Sequence, residues 1–259
     1  MTMLSLRRAA ALAVTLAEPA FAADVPRGVP AASLASPFSW TGCYLGGHLG
    51  GGWAQKNITD PVQLVQDGFL GAGSTVGVTS VATAPSGIVI GGQIGCDYQF
   101  ASTWVIGIEG AASGSTMDGS TTVPLPLGNP GDSARVRART DFLPSVTARL
   151  GYAFDRLLFY AKGGGAWAGD KYTVTGTFAG TGFGFEGLDT RSGWTAGAGI
   201  DWTFARHWSA SLEYDYYQFG HGTVLMSDTI NVLSGSVDAK QSVQVVKAGI
   251  NFHMWWSAW

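Results

Sequence analysis

The sequence predicts an all-β fold, an eight-stranded antiparallel transmembrane β-barrel with an up-and-down meander and long loops at one end. Three observations support this prediction. Large apolar residues alternate with glycine, alanine or polar residues in eight separate segments, which is the period of a β-strand. The links between these segments are alternately short and long. The second half of the chain also repeats residue patterns of the first half.

Each alternating segment has close to the roughly 9–11 residues that a tilted strand needs to cross a bilayer. The predicted strands cover residues 41–53, 87–100, 103–113, 141–154, 156–168, 192–204, 207–218 and 241–253. Short links such as "FASTW", "FDRLLF" and "FARHW" alternate with long links, which span residues 54–86, 114–140, 169–191 and 219–240. Short turns at one end and long loops at the other are typical of bacterial outer-membrane barrels.

The repeat is visible in single residues. Phe100 and Phe204, Trp104 and Trp208, and Glu109 and Glu213 are each separated by 104 residues. A four-strand unit that is used twice leaves no unpaired strand edge if its two copies close into one barrel.

The composition is unusual for a soluble protein. Only 13% of the 259 residues are charged, against about 25% in an ordinary soluble domain. Aromatic residues make up 12% of the chain, including 10 tryptophans, and glycine occurs 38 times. The formal net charge is -3 and there is no basic patch of the kind that nucleic acid requires, so nucleic acid is excluded as a partner.

The N-terminal residues predict export. Residues 1–22 read as a signal peptide, with a basic start "MTMLSLRR", an apolar core "AAALAVTLA" and a small-x-small site "AFA". Residues 23–39 are predicted to form a flexible lead-in, residues 40–254 the barrel, and residues 255–259 a C-terminal tail. No later segment has the long charge-free run of a membrane-spanning helix.

The apolar faces of the strands are predicted to point outward. An eight-stranded barrel has an interior that is only just wide enough for side chains, so tryptophan and isoleucine would overfill it. Placed outward, they contact outer-membrane lipid, with aromatic girdles at both interfaces. The predicted girdle residues are Trp40, Trp104, Trp194, Trp202, Trp208, Tyr152 and Phe252.

The opposite faces then share the lumen. They carry a set of charged residues, namely Asp97, Glu109, Arg149, Lys162, Asp201, Glu213 and Lys247. Because buried charges must pair, we expect a salt-bridge network with Glu109 and Glu213 opposite Arg149 and Lys247, which plugs the lumen. The alternative is that these charges line a narrow channel for small solutes.

The two cysteines lie at similar depths of the first two predicted strands. A disulfide between Cys43 and Cys96 is one alternative, since the periplasm is oxidising. Two separate lipid-facing thiols that act as small hydrophobic residues are the favoured expectation. There is no Cys-x-x-Cys spacing, and neither a metal site nor a cofactor is predicted.

The histidines and the tryptophan-rich face bear on three rival functions. A lipid-modifying enzyme would need a nucleophile and a base on neighbouring strands, and no such set is expected to converge, so no catalytic residue is assigned. His221, which begins a long loop, is an alternative haemin ligand, with Met226 as a weak companion. A soluble lipocalin-like carrier would need its apolar face inside, which the repeated tryptophans disfavour.

Several segments resemble a known family. "FSWTGCYLGGHLGGGWA", "GGQIGCDYQFASTWVIGIEG", "RLGYAFDRLLFYAKGGGAW" and "GWTAGAGIDWTFARHWSASLEYDY" are similar to small porin-like outer-membrane β-barrel proteins of Gram-negative bacteria, whose fold is that of the OmpA transmembrane domain. The resemblance covers about residues 39–254. It implies location in the cell outer membrane, a structural, envelope-stabilising or surface-antigen role, and no shared catalytic residues. Some relatives are described as adhesins or haemin-binding surface proteins.

The resemblance also bears on the loops and on the C-terminus. The expected long loops would meet an extracellular ligand or a host surface, with residues 60–70 as the first contact patch, on a barrel expected to be a monomer. Barrels of this kind usually end on an aromatic residue, whereas Met254 stands at that place and "WWSAW" follows. The effect of this tail on assembly is open.

Overall fold

A computed structural model describes residues 38–59, 80–125, 129–228 and 234–254, with side chains in the same ranges except at residues 59, 221–228 and 234–239. The predicted signal peptide, the contact patch at residues 60–70 and the tail at residues 255–259 lie outside the described residues. In the described part of the chain, no helix is long and apolar enough to cross a membrane.

Nine antiparallel strands make up the described fold. They are β1 (Gly42–Thr59), β2 (Ser80–Thr83), β3 (Ser86–Phe100), β4 (Trp104–Pro124), β5 (Ser133–Phe154), β6 (Leu157–Phe178), β7 (Thr181–Ala205), β8 (Trp208–Asp228) and β9 (Ser234–Met254).

The strands close into a barrel with eight strand positions around its circumference. From β3 onward each strand pairs with the next, and β9 pairs with β1 along nearly its whole length, from Cys43 to Thr59 of β1. The short strand β2 pairs with β1 beyond the end of β3. The strands β2 and β3 therefore occupy one position of the barrel, interrupted at Ala84 and Pro85. The predicted antiparallel meander is confirmed.

The strands are longer than predicted. The expected loops at residues 114–140 and 169–191 are wrong, because β4 to β7 continue through most of them, and β6 and β7 meet at a two-residue turn. That turn is Ala179–Gly180, both with positive φ. Residues 219–228 and 234–240 are likewise strand. We call the end of the barrel that contains the Ala179–Gly180 turn the hairpin end. The opposite end, with turns at residues 101–103, 155–156 and 206–207, is the short-turn end.

The two faces of the sheet have the predicted orientation. Outward side chains such as Ile108 and Leu150 are 66% and 53% exposed, whereas Glu109 and Arg149 beside them are buried in the lumen. The outward apolar surface, which we call the belt, extends from the short-turn end to Trp53, Phe142 and Trp167. Beyond the belt most of the described outward side chains are polar or charged, and Leu188 of β7, at 78% exposure, is an apolar exception.

Six of the seven predicted girdle residues point outward, namely Trp104, Trp194, Trp202, Trp208, Tyr152 and Phe252. The prediction for Trp40 is wrong, because this side chain is 2% exposed and lies inside the barrel at the short-turn end. Trp40 precedes the first residue of β1, so its direction does not follow the alternation of the strand.

Candidate functional site in the barrel lumen

The lumen is filled by alternating apolar and polar layers. Starting at the short-turn end, the lower apolar layer contains Trp40, Val105, Ala153, Leu158 and Tyr160. The lower charge layer follows with Asp97, Glu109, Arg149, Lys162, Asp201, Glu213, Asp215 and Lys247. The middle apolar layer contains Ala54, Val89, Met117, Leu143, Ala166, Ala168, Tyr217, Phe219, Val243 and Val245. The upper polar layer contains Lys56, Thr140, Asp170 and Gln241, and the upper apolar layer contains, among others, Ile58, Val136, Tyr172, Val174 and Phe185.

Arg149 of β5 is one centre of the lower charge layer. Its Nη1 lies 3.4 Å from Oδ2 of Asp97, and its Nη2 lies 3.0 Å from Oδ2 of Asp201. The guanidinium is held between two tyrosine rings, 5.2 Å from the ring centre of Tyr44 and 3.9 Å from that of Tyr160. It also donates a hydrogen bond to the hydroxyl of Tyr44, which donates to Oε2 of Glu109 at 2.6 Å. Ion pairs and cation–π contacts therefore hold one guanidinium from several sides.

Lys162 of β6 is the second centre. Its ammonium lies 2.8 Å from Oε1 of Glu109, 2.5 Å from Oε2 of Glu213 and 3.3 Å from Oδ1 of Asp215. Lys247 of β9 shares two of these carboxylates, at 3.2 Å from Glu213 and 3.0 Å from Asp215. Each of these side chains is buried, so the network is screened from water.

The internal repeat explains the symmetry of this layer. Asp97 and Asp201 occupy equivalent positions of the repeat and share Arg149. Glu109 and Glu213 are also equivalent and share Lys162. Two equivalent acids from each half of the chain therefore converge on Arg149 of the first half and Lys162 of the second half.

Two equivalent glycines make this arrangement possible. A Cβ atom at Gly95 would lie 2.5 Å from the ring of Tyr44, and one at Gly199 would lie 2.6 Å from the ring of Tyr160. Only glycine leaves room for the two rings that enclose Arg149.

All seven charged residues predicted for the lumen lie in this layer. Glu109 is 3.5 Å from Arg149, and Glu213 is 3.2 Å from Lys247, so both proposed facings occur in the structure. Asp215 was missed from the predicted network, although its place on the polar face of β8 was a usable signal. Five carboxylates face three cations here, which leaves two formal negative charges in excess.

The upper polar layer was not predicted. Lys56 and Asp170 form an ion pair of 2.7 Å, and both side chains are fully buried. Thr140 donates to the same carboxylate oxygen at 2.6 Å, and Gln241 lies 3.4 Å from it. Both charged residues keep the inward alternation of their strands, but the predicted strands ended before them.

Trp40 closes the lumen at the short-turn end. Its backbone N–H donates to Oε1 of Gln99 at 2.8 Å, and its indole N–H donates to the carbonyl of Asp155 at 3.4 Å. Its ring packs edge-on against Phe38 and His253. The residues just before β1 therefore act as a stopper.

The favoured expectation for the cysteines is wrong. Cys43 of β1 is the direct partner of Cys96 of β3 in the strand register, and the two are joined in a disulfide with a Cα–Cα distance of 3.9 Å. The bond lies on the outer face near the short-turn end, where direct pairing brings the side chains together. Sequence alternation placed both residues on this face but did not give the register.

Two histidines pair with serine hydroxyls, and sequence reasoning missed both pairs. Nε2 of His48 lies 2.8 Å from Oγ of Ser113, and Nε2 of His253 lies 2.9 Å from Oγ of Ser209. Both pairs are buried in the lumen, and His48 has Gln93 rather than a carboxylate on its other nitrogen, at 3.0 Å. The side chain of His221, the predicted haemin ligand, lies outside those described. Among the described residues, no group of three potential metal ligands occurs.

Comparison with known proteins agrees with this architecture. A family model described as an outer membrane protein beta-barrel domain matches residues 9–252. The 31 kDa outer-membrane immunogenic protein of Brucella melitensis is 29% identical over 257 residues, which cover 94% of this chain and 97% of that protein. The 25 kDa outer-membrane immunogenic protein of Brucella abortus is 27% identical over 259 residues, which cover 97% and 98%.

Solved structures with a similar arrangement include the outer membrane protease OmpT from Escherichia coli, with a TM-score of 0.48, 10% identity, and coverage of 84% of this chain and 98% of that one. Another is OprG from Pseudomonas aeruginosa, with a TM-score of 0.43, 14% identity, and coverage of 83% and 97%. On the match of the family model to most of its length, the chain belongs to the outer membrane protein beta-barrel domain family, and it is a protein of the bacterial outer membrane.

Proposed function

We propose that the protein is a closed, non-conducting and non-catalytic barrel that stabilises the envelope. The part of the barrel beyond the belt, which we call the β-extension, projects rigidly from the cell surface. The observation that supports the closed barrel most directly is the filled lumen. Three apolar and two polar layers alternate along the barrel, and the side chains of the polar layers are buried. A water-filled path for solutes would have to cross every one of them.

The β-extension is the part of the barrel beyond the belt, at the hairpin end. In β6 it runs from 168 to 178, and in β7 from 181 to 193, so each of these strands continues for about as many residues as it spends in the belt. Short turns and chain termini are periplasmic in outer-membrane barrels. The hairpin end therefore faces the cell exterior, and its strands form a scaffold for recognition.

Planar-bilayer recording tests the closed lumen. We expect the purified protein to give no stable single-channel steps, while a general diffusion porin in the same bilayers conducts. A protein sample unfolded by boiling serves as the control for detergent artefacts. Large, long-lived steps from the folded protein would contradict the proposal and favour the narrow-channel alternative.

Envelope stabilisation needs a separate measurement in cells. Cells that lack the protein should become more sensitive to bile salts and to large hydrophobic antibiotics, and expression of the protein should restore resistance. Unchanged sensitivity would remove the envelope role and leave the surface role standing.

A further inference from the structure

Four basic side chains form an exposed patch on the outer surface, which we call the basic patch. Arg135, Arg137 and Arg139 alternate along β5, and Lys171 lies on β6. Alternate residues of a strand share one face at a spacing of roughly 7 Å. The side chains of Arg137, Arg139 and Lys171 are 56%, 49% and 41% exposed.

The basic patch begins directly above the belt. Phe142 of β5 and Trp167 of β6 are the last outward aromatic residues of these two strands, at 48% and 42% exposure. In the direction of the hairpin end, Arg139 is the next basic residue beyond Phe142 on β5, and Lys171 is the next beyond Trp167 on β6. Side chains at this height meet lipid headgroups rather than acyl chains.

The strand register places like charges opposite each other. Arg139 and Lys171 are direct partners of β5 and β6. Like charges at directly opposite positions destabilise a sheet, so packing alone does not favour this pair. An anion bound between them would turn the repulsion into two attractive contacts.

The carboxylates nearby do not close the patch to a ligand. Arg137 pairs with Asp118, Arg139 with Asp141, and Lys171 with Glu186 at 3.1 Å, and all of these pairs are at the surface. Hydrogen bonding from Arg137 lowers the pKa of Asp118, so this carboxyl is ionised at neutral pH.

Exposed ion pairs contribute little net stability, so an arginine can exchange or share its partner at small cost. Arg135 is engaged differently. Its Nη2 and Nε donate to Oγ of Ser120 at 3.0 and 3.3 Å, and among the described side chains no carboxylate lies within ion-pair distance of it.

In the described part of the chain, the outward arginines beyond the belt all lie on β5. At the same height on the opposite wall, the described outward side chains of β1, β8 and β9 include one cation, Lys240, and otherwise neutral amides and hydroxyls, namely Gln55, Asn57, Gln218, Ser242 and Gln244. The surface therefore offers arginine donors at one place around the barrel, which is expected of a binding site rather than of general solubility.

We propose that the basic patch binds the phosphate groups of the phosphorylated glycolipid in the outer leaflet, an assignment that rests on the proposed outward orientation of the hairpin end. Arginine presents planar paired donors that match phosphate oxygens, and Arg135, Arg137 and Arg139 line up along one strand. A lipid phosphate at the upper edge of the belt lies level with Arg139 and Lys171. The ligand would anchor the barrel laterally in its own leaflet.

Binding to lipid A in neutral detergent micelles tests this proposal. We expect the folded protein to bind bisphosphorylated lipid A at least tenfold more tightly than the same lipid without phosphates, since each charged contact contributes on the order of a tenfold factor. The variant Arg135→Gln/Arg137→Gln/Arg139→Gln/Lys171→Gln should lose this preference. Lys240→Gln, which removes an exposed cation of β9 outside the patch, is the matched control and should keep it.

Two further variants separate charge from geometry and from folding. Replacing the three arginines by lysine keeps the charge and removes the paired donors, so affinity should fall severalfold. Arg135→Gln alone touches only the contact with Ser120, so it should fold normally and still weaken binding. A gel shift on heating verifies that each variant is folded.

Several outcomes would overturn the proposal. One is equal affinity for lipid A with and without phosphates, and another is an unchanged preference in the fourfold variant. Equally tight binding of phosphatidylglycerol would exclude the glycolipid, and equally tight binding of inorganic phosphate would exclude a lipid source. Binding of a second copy of the chain, seen as a dimer that lipid A does not dissolve, would assign the patch to self-association. Because micelles have no inside or outside, these results are independent of the orientation, which surface labelling of Thr181→Cys tests separately.

Discussion

A single ammonium group holds together the centre of the lower charge layer. Lys162 lies within 3.3 Å of carboxylates from Glu109, Glu213 and Asp215. Lys162→Met removes this charge and leaves three buried acids with less compensation, so we expect a loss of about 3–5 kcal/mol in unfolding free energy. Urea titration in detergent micelles, followed by tryptophan fluorescence, measures it.

The matched control for Lys162→Met lies on the same strand. Lys171→Met breaks only an exposed pair with Glu186, where the two side chains are 41% and 53% exposed. Its expected cost is at most about 1 kcal/mol. If both variants lost the same stability, the network would not be the feature that stabilises the lower part of the barrel.

Trp40 makes a second prediction at the scale of one residue. Trp40→Ala removes a buried ring that packs against Phe38 and His253, which should cost about 3–5 kcal/mol of unfolding free energy. The variant should nevertheless remain closed in bilayers, because the lower charge layer lies directly above. Phe154→Ala, which removes a 69% exposed ring near the same end, is the control and should cost about 1 kcal/mol. Conductance in Trp40→Ala would show that the stopper alone seals the barrel.

At the scale of elements, one disulfide joins β1 to the neighbouring strand β3. Cys43 and Cys96 join β1 to β3 and close a loop of sequence separation 53. Cross-linking such a loop restricts the unfolded chain and should contribute about 2–4 kcal/mol. Comparing the protein with Cys43→Ser/Cys96→Ser in urea measures this contribution.

Reduction of the wild-type protein provides the control for that double variant. Reduced wild type and Cys43→Ser/Cys96→Ser should unfold at the same urea concentration, below that of the oxidised protein. Because β1 also pairs with β9, both forms should still close into a barrel and still shift on heating. Identical midpoints in all three samples would mean that the bond adds no stability.

The elements also show what the sequence made predictable. In the belt the alternation identified the strands and the charged lumen face, and the repeat of 104 residues identified Glu109 and Glu213 as an equivalent pair, whereas their sharing of Lys162 followed only from the structure. The β-extension was missed because the polarity of the alternation reverses along each strand. In β6, inward Lys162 is charged and outward Phe159 is apolar, whereas further on inward Val174 is apolar and outward Lys171 is charged. Outside the membrane the outer face of the strand meets water, so its alternation is that of a soluble sheet, with polar residues outside. A search for strands with apolar residues outside therefore ends at the edge of the belt.

The register is the other part that alternation left open. Period two fixes the face of Cys43 and Cys96 but not which residues lie opposite each other, so their disulfide followed only from the pairing of β1 with β3. The same holds for Lys56 and Asp170, which come from strands distant in the ring. Trp40 was misplaced for a different reason, since it precedes β1 and strand periodicity does not apply to it.

At the scale of the whole molecule, the barrel has two ends that meet different compartments. One strand, β6, begins at a short turn next to Arg156 and ends at the turn Ala179–Gly180 next to Thr181. Both Arg156 and Thr181 are exposed, so a cysteine at either position would be open to reagents. The two native cysteines are joined in a disulfide and do not compete for a maleimide.

Labelling of intact cells therefore tests the orientation on which the surface role depends. A membrane-impermeant maleimide should label Thr181→Cys in whole cells, whereas it should label Arg156→Cys only after the outer membrane is permeabilised. In the proposed orientation the hairpin end extends beyond the belt into the medium and the short-turn end faces the periplasm. The unsubstituted protein should remain unlabelled in both conditions. Labelling in the reverse order would place the basic patch and the β-extension in the periplasm. Equal labelling of both variants before permeabilisation would indicate a damaged outer membrane, and the measurement would then be repeated on intact cells.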